Sequence, residues 1–304
     1  MTAFWRVVAR LRGAEAALDA AAILDAAAGA VSAFESADGP TEWRVEAYPR
    51  GSILTAELEL RLALAAASGG GTLVEIGEER LRERDWVAEN RLAFPPLRIG
   101  RLWIHGSHER APPPPGAIAI EIDASIAFGT GEHPSTRGCL LAMQQLTARR
   151  RFRRPLDIGT GSGILAIAAA RLLRRPVLAA DIDAASVRLA RENVGKNGVA
   201  GLVRVRRAPG YRDRTIAAAR YDLVCANILA RPLARMARDL SRRLAPGGRA
   251  VLSGLLLRQE PLVLAAHRGV GMTLERRLVI DGWSTVILRS FRRSGGGRRG
   301  RRAR

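Results

Sequence analysis

Three glycines at alternate positions follow an apolar run that contains an aspartate, in the segment LDIGTGSGILAIAA. They are Gly159, Gly161 and Gly163, and an alanine-rich helix is predicted to start near Ile164. Glycine lets a ligand approach the backbone closely, and N–H groups at a helix N-terminus attract negative charge. The loop predicts a dinucleotide site, a methyl-donor site or a tight turn without a ligand.

The spacing of these glycines weakens the dinucleotide alternative. The dinucleotide fingerprint places its third glycine five positions after the first, and that position is Ile164 here. A second predicted strand, VLAADID, contains Asp181, 22 residues after Gly159, where an acid suits ribose hydroxyls. An acid at this place supports an adenosyl ligand without choosing among nucleotide cofactors.

An amide side chain at the end of the fourth predicted strand, YDLVCANIL, indicates the chemistry. Asn227 is expected at the carboxyl edge of a parallel sheet, where such folds bind ligands. Together with exposed backbone carbonyls, it can accept hydrogen bonds from an incoming amine and fix the amine's lone pair. Glycine loop, ribose acid, asparagine, PGG turn and terminal hairpin, in this order, are typical of S-adenosylmethionine-dependent methyltransferases of the Rossmann-like type.

A second glycine-bearing loop, IDASIAFGTGEHPSTRGCLLAM, leads into a helix predicted to start with Ser135 or Thr136 as its N-cap. The segment from Phe128 and Gly129 to Thr136 is predicted to close over the cofactor, and a plain helix cap is the alternative for Thr136. His133 has no second His, Cys or carboxylate pair at ligand spacing, so no metal site is predicted.

The elements that position these residues follow from the apolar patterns. From Ala117 onward strands and helices alternate, which indicates a parallel sheet covered on both faces. The strands are predicted at residues 155–158, 177–180, 203–206, 221–226 and 250–253. Two further strands flank Asp281-Gly282, a strong hairpin signal. The predicted fold class is α/β, a Rossmann-like sheet that finishes in an antiparallel hairpin.

Four regions are predicted along the chain. Residues 1–77 show the βαββαβ order of a ferredoxin-like α+β domain. Residues 78–116 are a proline-rich connector, with a short helix around Asp85 to Leu92, a strand pair in LRIGRLWIHGS and the stiff run APPPPG. The methyltransferase domain covers 117–291, and residues 292–304 form a disordered Arg/Gly tail.

The formal charge is +20, and Lys196 is the only lysine among 49 basic residues. Such a balance suggests residence near nucleic acid or another polyanion. The tail carries seven of the arginines and is predicted either to contact RNA or to be a solvated extension. Cys139 and Cys225 are predicted to be buried free thiols. Neither a membrane span nor a secretion signal is visible, so we expect a cytoplasmic protein.

Five segments resemble, in order and spacing, the ribosomal protein L11 methyltransferase family: AFGTGEHPSTRGCL, LDIGTGSGILAIAA, DIDAASVRLARENVGKNG, ANILARPL and LAPGGRAVLSGLL. The resemblance implies that the methyl donor S-adenosylmethionine contacts Thr136, Gly159, Asp181 and Asn227. It further implies that Asn227 lies beside the acceptor amine, and that the amino-terminal domain grips L11 as substrate. Glu132 departs from the family, whose members commonly have a small residue or threonine there.

Other functions stay open at this point. An RNA methyltransferase needs aromatic residues to stack a flipped base, whereas Ile228 and Leu229 follow the asparagine here. A lysine methyltransferase of another protein, such as an electron-transfer flavoprotein beta subunit, would share the catalytic core, but the long amino-terminal domain favours the ribosomal substrate. A non-catalytic RNA-binding or assembly protein is disfavoured by the intact glycine loop, ribose acid and asparagine.

Overall fold

The structure is a computed structural model that describes residues 4–28, 31–35, 41–49, 51–81, 95–122 and 133–290. The described residues up to 81 form one compact unit, and those from 95 onward form a second. Within these ranges, no helix is long and apolar enough to cross a membrane.

The first unit is a four-stranded antiparallel sheet with two helices, in the predicted order. Its elements are β1 (Phe4–Arg12), α1 (Ala14–Ala28), β2 (Val31–Glu35), β3 (Glu42–Ala47), α2 (Ala56–Ser68) and β4 (Thr72–Leu81). The strand order β2-β3-β1-β4 confirms the ferredoxin-like arrangement. Alternate residues of a strand face the same side, so Val7, Ala9 and Leu11 of β1 are all buried in the core. Strand β4 extends beyond the predicted domain end at residue 77.

A small sheet opens the second unit. It contains β5 (Leu97–Ile99), β6 (Leu102–His105) and β7 (Ile118–Glu121). Strands β5 and β6 form the predicted antiparallel pair, and β7 joins β6 in parallel. Residues 95–116, assigned to the connector above, thus lie in the second unit, because Ile99, Leu102 and Ile104 join its core. The predicted helix around Asp85 to Leu92 lies outside the described residues.

A seven-stranded sheet forms the centre of the second unit. Its strands are β8 (Pro155–Ile158), β9 (Val177–Asp181), β10 (Val203–Arg207), β11 (Tyr221–Asn227), β12 (Leu244–Leu256), β13 (Met272–Ile280) and β14 (Trp283–Ser290). The order is β10-β9-β8-β11-β12-β14-β13, with β14 antiparallel to both neighbours and β8 to β12 parallel. Asp281 and Gly282 have φ of 47° and 74°, as the predicted hairpin turn requires. The predicted fold class is confirmed.

Helices cover both faces of this sheet. They are α3 (Pro134–Arg149), α4 (Ile164–Leu173), α5 (Ala184–Lys196), α6 (Arg214–Ala217), α7 (Ala230–Arg235), α8 (Ala237–Arg243) and α9 (Glu260–Arg268). In β11, Leu223 and Cys225 belong to one hydrophobic core, and Val224 and Ala226 belong to the other. Both faces are therefore buried, and every strand can present polar groups at its carboxyl end. Cys139 and Cys225 are buried free thiols, as predicted.

Candidate functional site

The glycine loop connects β8 to α4 with left-handed backbone at each predicted glycine. The φ angles of Gly159, Gly161 and Gly163 are +68°, +54° and +85°, a region that residues with a side chain rarely adopt. Gly163 is the N-cap of α4. The left-handed backbone therefore favours glycine at these three positions.

The loop's N–H groups are used differently from the prediction. Gly159 N and Thr160 N both donate to the carbonyl oxygen of Ala180, at 2.9 and 3.1 Å. Gly161 N donates to the carboxylate of Asp181 at 2.9 Å, and Gly163 N donates to Thr160 O at 2.8 Å. These donors tie the loop to β9 and to itself, so the N–H groups of the three glycines are not free to bind a ligand.

Asp181 stands at the carboxyl end of β9, as predicted. One carboxylate oxygen accepts from Gly161 N, and the other accepts from Asp183 N at 3.0 Å. Because each carboxylate oxygen has two acceptor sites, the group is held in place and retains acceptor capacity. The neighbouring side chain of Ile182 is 68% exposed. This part of the site offers a fixed acceptor next to an apolar surface.

Asn227 and Thr136 meet at the other side of the site. Asn227 Nδ2 donates to Thr136 Oγ1 at 3.1 Å, which joins the end of β11 to the first turn of α3. Thr136 is buried. The helix begins at Pro134, and its N-cap is His133, whose side chain accepts from Ser135 N. The predicted cap at Ser135 or Thr136 is therefore wrong, and the Thr136 hydroxyl is left to contact the asparagine.

Ile228 brings the glycine loop and Asn227 together. A Cβ built on Gly159 would lie 2.3 Å from Cγ2 of Ile228. A Cβ built on Gly254 would lie 2.5 Å from the carbonyl oxygen of the same residue. Ile228 N also donates to Ser253 O at 3.1 Å. The residue after Asn227 is thus enclosed between two glycines, which fixes the end of β11 relative to the loop.

Asp157, in β8, is a site residue that the sequence reasoning missed, although it directly precedes the glycine loop. It is buried, and its Oδ2 accepts from Thr160 Oγ1 at 2.6 Å. Its Oδ1 makes no hydrogen bond of normal geometry among the described residues, although the backbone N–H of Ala166 is close enough to favour the charged carboxylate. Burial is the main cause that raises the pKa of Asp157 to about 7; the charge of Asp181 acts in the same direction. The aspartate that ends the apolar run was the available signal.

His133 lies beside Thr136 but is engaged locally. Its ring contacts Trp283 edge-on with centroids 4.3 Å apart, and Nδ1 is 2.7 Å from Ser135 Oγ. Burial lowers the pKa of His133 to about 4, so the ring is neutral at pH 7. Throughout the described ranges, no group of His, Cys, Asp and Glu could hold a metal ion. Phe128, Gly129 and Glu132 lie outside the described residues.

The sequence profile of the ribosomal protein L11 methyltransferase family matches residues 9–290. The chain belongs to this family. A ribosomal protein L11 methyltransferase of Bradyrhizobium diazoefficiens is 44% identical over 261 residues, which cover 86% of this chain and 87% of that protein. One from Rhizobium meliloti is 48% identical over 214 residues, 70% of this chain and 74% of that protein.

A solved structure agrees with this assignment. The crystal structure of ribosomal protein L11 methylase from Lactobacillus delbrueckii subsp. bulgaricus is 27% identical, with a TM-score of 0.59. The match covers 65% of this chain and 98% of that one. The chain is therefore a methyltransferase with a Rossmann-like sheet, and its methyl donor is S-adenosylmethionine.

The residues present fit this donor. The glycine loop keeps its surface free of side chains, and Asp181 is a fixed acceptor suited to hydroxyl groups. The buried Oδ1 of Asp157 makes no hydrogen bond of normal geometry within the described structure, and such an atom is costly to leave unsatisfied. A polar ligand beside the loop, directly or through water, would satisfy it.

Proposed function

We propose that this chain transfers methyl groups from S-adenosylmethionine to amino groups of ribosomal protein L11, on lysine side chains, the N-terminal α-amine or both. The observation that carries the proposal is the hydrogen bond between Asn227 and Thr136 at the carboxyl edge of the sheet. Open parallel sheets bind their ligands at this edge. The family match over residues 9–290 supports L11 as the acceptor.

In this proposal the donor is held by eight residues: Phe128, Gly129, Thr136, Gly159, Gly161, Gly163, Asp181 and Asn227. The bound donor supplies an activated methyl group for in-line displacement by a nucleophile. Asp181 accepts hydrogen bonds from the ribose hydroxyls with the lone pairs that its two backbone bonds leave. The left-handed glycines keep side chains away from the loop surface.

Asn227 orients the acceptor amine. Because its Nδ2 donates to Thr136, the amide oxygen is the atom left to accept an N–H from the amine. One such hydrogen bond restricts the direction of the amine's lone pair, and a second from an exposed backbone carbonyl at this edge fixes it. Alignment of this kind contributes much of the rate of a transfer reaction. Thr136 is thus a positioning residue for Asn227 as well as a donor contact.

The amine must be neutral when it reacts. A free lysine has a pKa of about 10.4 and an α-amine about 8, and a nearby positive charge or burial lowers both. His133 is neutral, but its Nδ1 is engaged with Ser135. We therefore assign proton removal to solvent and the orienting role to Asn227.

The ferredoxin-like unit is proposed to grip the substrate protein, with the domain taken as residues 1–77. Residues 1–81 contain seven arginines and twelve carboxylates, a net charge of −5 within a chain of +20. Leu60 and Leu64, one turn apart on α2, are 59% and 61% exposed. Proteins that bind ribosomal RNA are basic. An acidic surface with exposed apolar residues complements such a protein.

Three further proposals concern the tail, the bounds of the methyltransferase domain and the location of the protein. The seven arginines of residues 292–304 contact ribosomal RNA, so that the enzyme stays near its substrate's assembly site. The methyltransferase domain, expected from the sequence to begin at residue 117, is taken to include residues 95–116 as well, and the protein acts in the cytoplasm, where ribosomal proteins are made.

The test is a transfer assay with labelled S-adenosylmethionine and three acceptors offered separately: purified L11, ribosomal RNA, and the proteins of a cell extract that lacks L11. The proposal expects label in L11 and none with Asn227→Ala. Label in RNA alone would identify an RNA methyltransferase. Label in another protein, such as an electron-transfer flavoprotein beta subunit, would keep the protein methyltransferase and replace its substrate.

A further inference from the structure

Arginines collect at one edge of the seven-stranded sheet. The amino ends of the parallel strands meet at this edge, together with the end of the antiparallel β14. The residues that precede β8, β9, β11 and β12, or end β14, include nine arginines: Arg151, Arg153, Arg154, Arg174, Arg175, Arg220, Arg242, Arg243 and Arg289. We call this set the arginine edge. All are exposed except Arg243, which is half-buried.

The set is continuous because these strands are neighbours. The sheet order β9-β8-β11-β12-β14 places the five strands side by side, and four spacings of about 4.8 Å make a line of roughly 19 Å. A surface of this length can follow several phosphates of a nucleic-acid strand.

The arginines are crowded against one another at one end of this line. Arg249 and Arg289 are directly opposite in the β12–β14 ladder, a placement that destabilises like charges. Arg150 and Arg249 both donate to the carbonyl oxygen of Gly247. Partial burial lowers the pKa of Arg249, and the charges of Arg150 and Arg289 add to this, whereas the ion pair between Arg249 and Glu275 opposes them. A polyanion at this edge would relieve the repulsion.

Several arginines of the line are not paired with a carboxylate of the described chain. Asp222 accepts from the backbone N atoms of Arg153 and Arg154, at 2.6 and 2.9 Å, which fixes the loop, and it forms no ion pair with either guanidinium group. Arg151, Arg174 and Arg175 make no ion pair with any carboxylate of the described chain. Phe152, buried between Arg151 and Arg153, anchors the segment in the core.

We propose that the arginine edge binds the phosphate backbone of RNA. Arginine forks match phosphate oxygens and also stack on bases. Surfaces that bind membranes combine basic residues with exposed apolar ones. The segments of the arginine edge contain none of the large apolar residues that are exposed in the described second unit. Those residues are Ile182, Leu229, Leu257, Leu262 and Val279. The edge is opposite the end of β11 that carries Asn227, so RNA bound there leaves the site open.

The test measures RNA affinity of the full chain by fluorescence anisotropy with a labelled ribosomal RNA transcript, over a series of salt concentrations. The variant replaces Arg151, Arg153 and Arg154 with alanine. The matched control replaces Arg231, Arg235 and Arg238, which are also exposed and lie in α7 and α8. Both variants remove three charges, so only position differs between them.

We expect the edge variant to bind RNA about tenfold more weakly, with a salt slope smaller by about two to three, because each phosphate contact contributes close to one. The control should remain near the parent. Methylation of RNA-free L11 by the edge variant should be unchanged. If the edge variant does not fold, Arg174→Ala with Arg175→Ala replaces it, beside a control with Arg231→Ala and Arg235→Ala, and the salt slope should then decrease by about two.

Three results would overturn the proposal. Equal losses in both variants would mean that net charge alone attracts RNA, and no loss would assign RNA binding elsewhere, for instance to the tail. A loss of binding to phosphatidylglycerol vesicles without a loss for RNA would assign the edge to a membrane. A chain that binds RNA through this edge but methylates no protein would defeat the proposed function alone.

Discussion

The side-chain amide of Asn227 donates to the hydroxyl of Thr136 at 3.1 Å, across 91 positions of the sequence. The bond joins the carboxyl end of β11 to the first turn of α3, and Thr136 is 2% exposed. An asparagine held at one amide atom presents the other in a fixed direction. The proposed alignment of the acceptor amine depends on this restraint.

Removal of the restraint should slow transfer. Thr136→Val keeps the shape of the side chain but loses the acceptor, and a neutral hydrogen bond contributes about 0.5–1.5 kcal/mol, so kcat should fall about two- to tenfold. Thr136→Ser retains the hydroxyl and should stay close to the parent. Steady-state kinetics with L11, and donor affinity by calorimetry, measure both effects. Equal kcat in the valine and serine variants would remove Thr136 from the mechanism.

A methyl group at Gly159 should displace Ile228. Gly159→Ala adds a Cβ only 2.3 Å from Ile228 Cγ2 at a φ of +68°, so donor affinity and kcat should both fall. Gly198→Ala is the matched control, since Gly198 has a φ of +63° and nothing within 4 Å of its Cβ position. The Gly198→Ala variant should lose about 1–2 kcal/mol of stability, the cost of placing a side chain in the left-handed region. Thermal unfolding measures this loss.

The double variant separates the clash from the strain. Gly159→Ala with Ile228→Ala removes the atom that the new Cβ meets, so donor affinity should recover part of its loss. Donor affinity as weak as in Gly159→Ala alone would show that the left-handed backbone, rather than Ile228, makes glycine necessary there.

The buried carboxyl of Asp157 should make stability depend on pH. Burial raises its pKa to about 7, against about 3.9 in an unfolded chain. Between these values the folded state holds a proton that the unfolded state has lost, so this group's contribution to stability falls as pH rises. Asp157→Asn removes the ionisation and keeps an acceptor for Thr160. Its melting temperature, relative to the parent, should therefore increase from about pH 4 to about pH 7.

Asp281→Asn is the control variant, because it makes the same substitution at an exposed hairpin turn. A difference between Asp157→Asn and the parent that is constant with pH, or shrinks as pH rises, would contradict the shifted pKa of Asp157.

The tail should add to RNA affinity independently of catalysis. A chain that ends at residue 291 lacks seven arginines, so RNA binding should weaken and its salt slope should decrease. Methylation of purified L11 should be unaffected. An unchanged slope in the same anisotropy assay would leave residues 292–304 as a solvated extension.

The sequence predicted the features that depend on a few neighbouring residues. Apolar runs between turn residues placed the strands, and Asp281-Gly282 predicted the hairpin, because both signals come from a few neighbouring residues. The βαββαβ order of the local patterns also predicted the ferredoxin-like unit. Strand β12 is longer than its predicted core of 250–253 because β11 and β14 pair with it on both sides.

The features that sequence reasoning missed depend on contacts between distant segments. The N–H groups of the glycine loop were expected to face a ligand, but β9 supplies Ala180 and Asp181 as their acceptors. Asp157 was passed over because burial, which raises its pKa, follows from packing. The arginine edge joins short segments from five strands, which only the sheet order brings together.

The most direct test of the central claim is mass spectrometry of purified ribosomal protein L11 after incubation with this chain and S-adenosylmethionine, beside the Asn227→Ala variant. The account predicts mass gains in whole methyl increments with the parent chain, and at least a ~100-fold slower gain with the variant, since misplaced reactants lose rate on that scale. No gain with the parent chain, or an equal gain with Asn227→Ala, would contradict it.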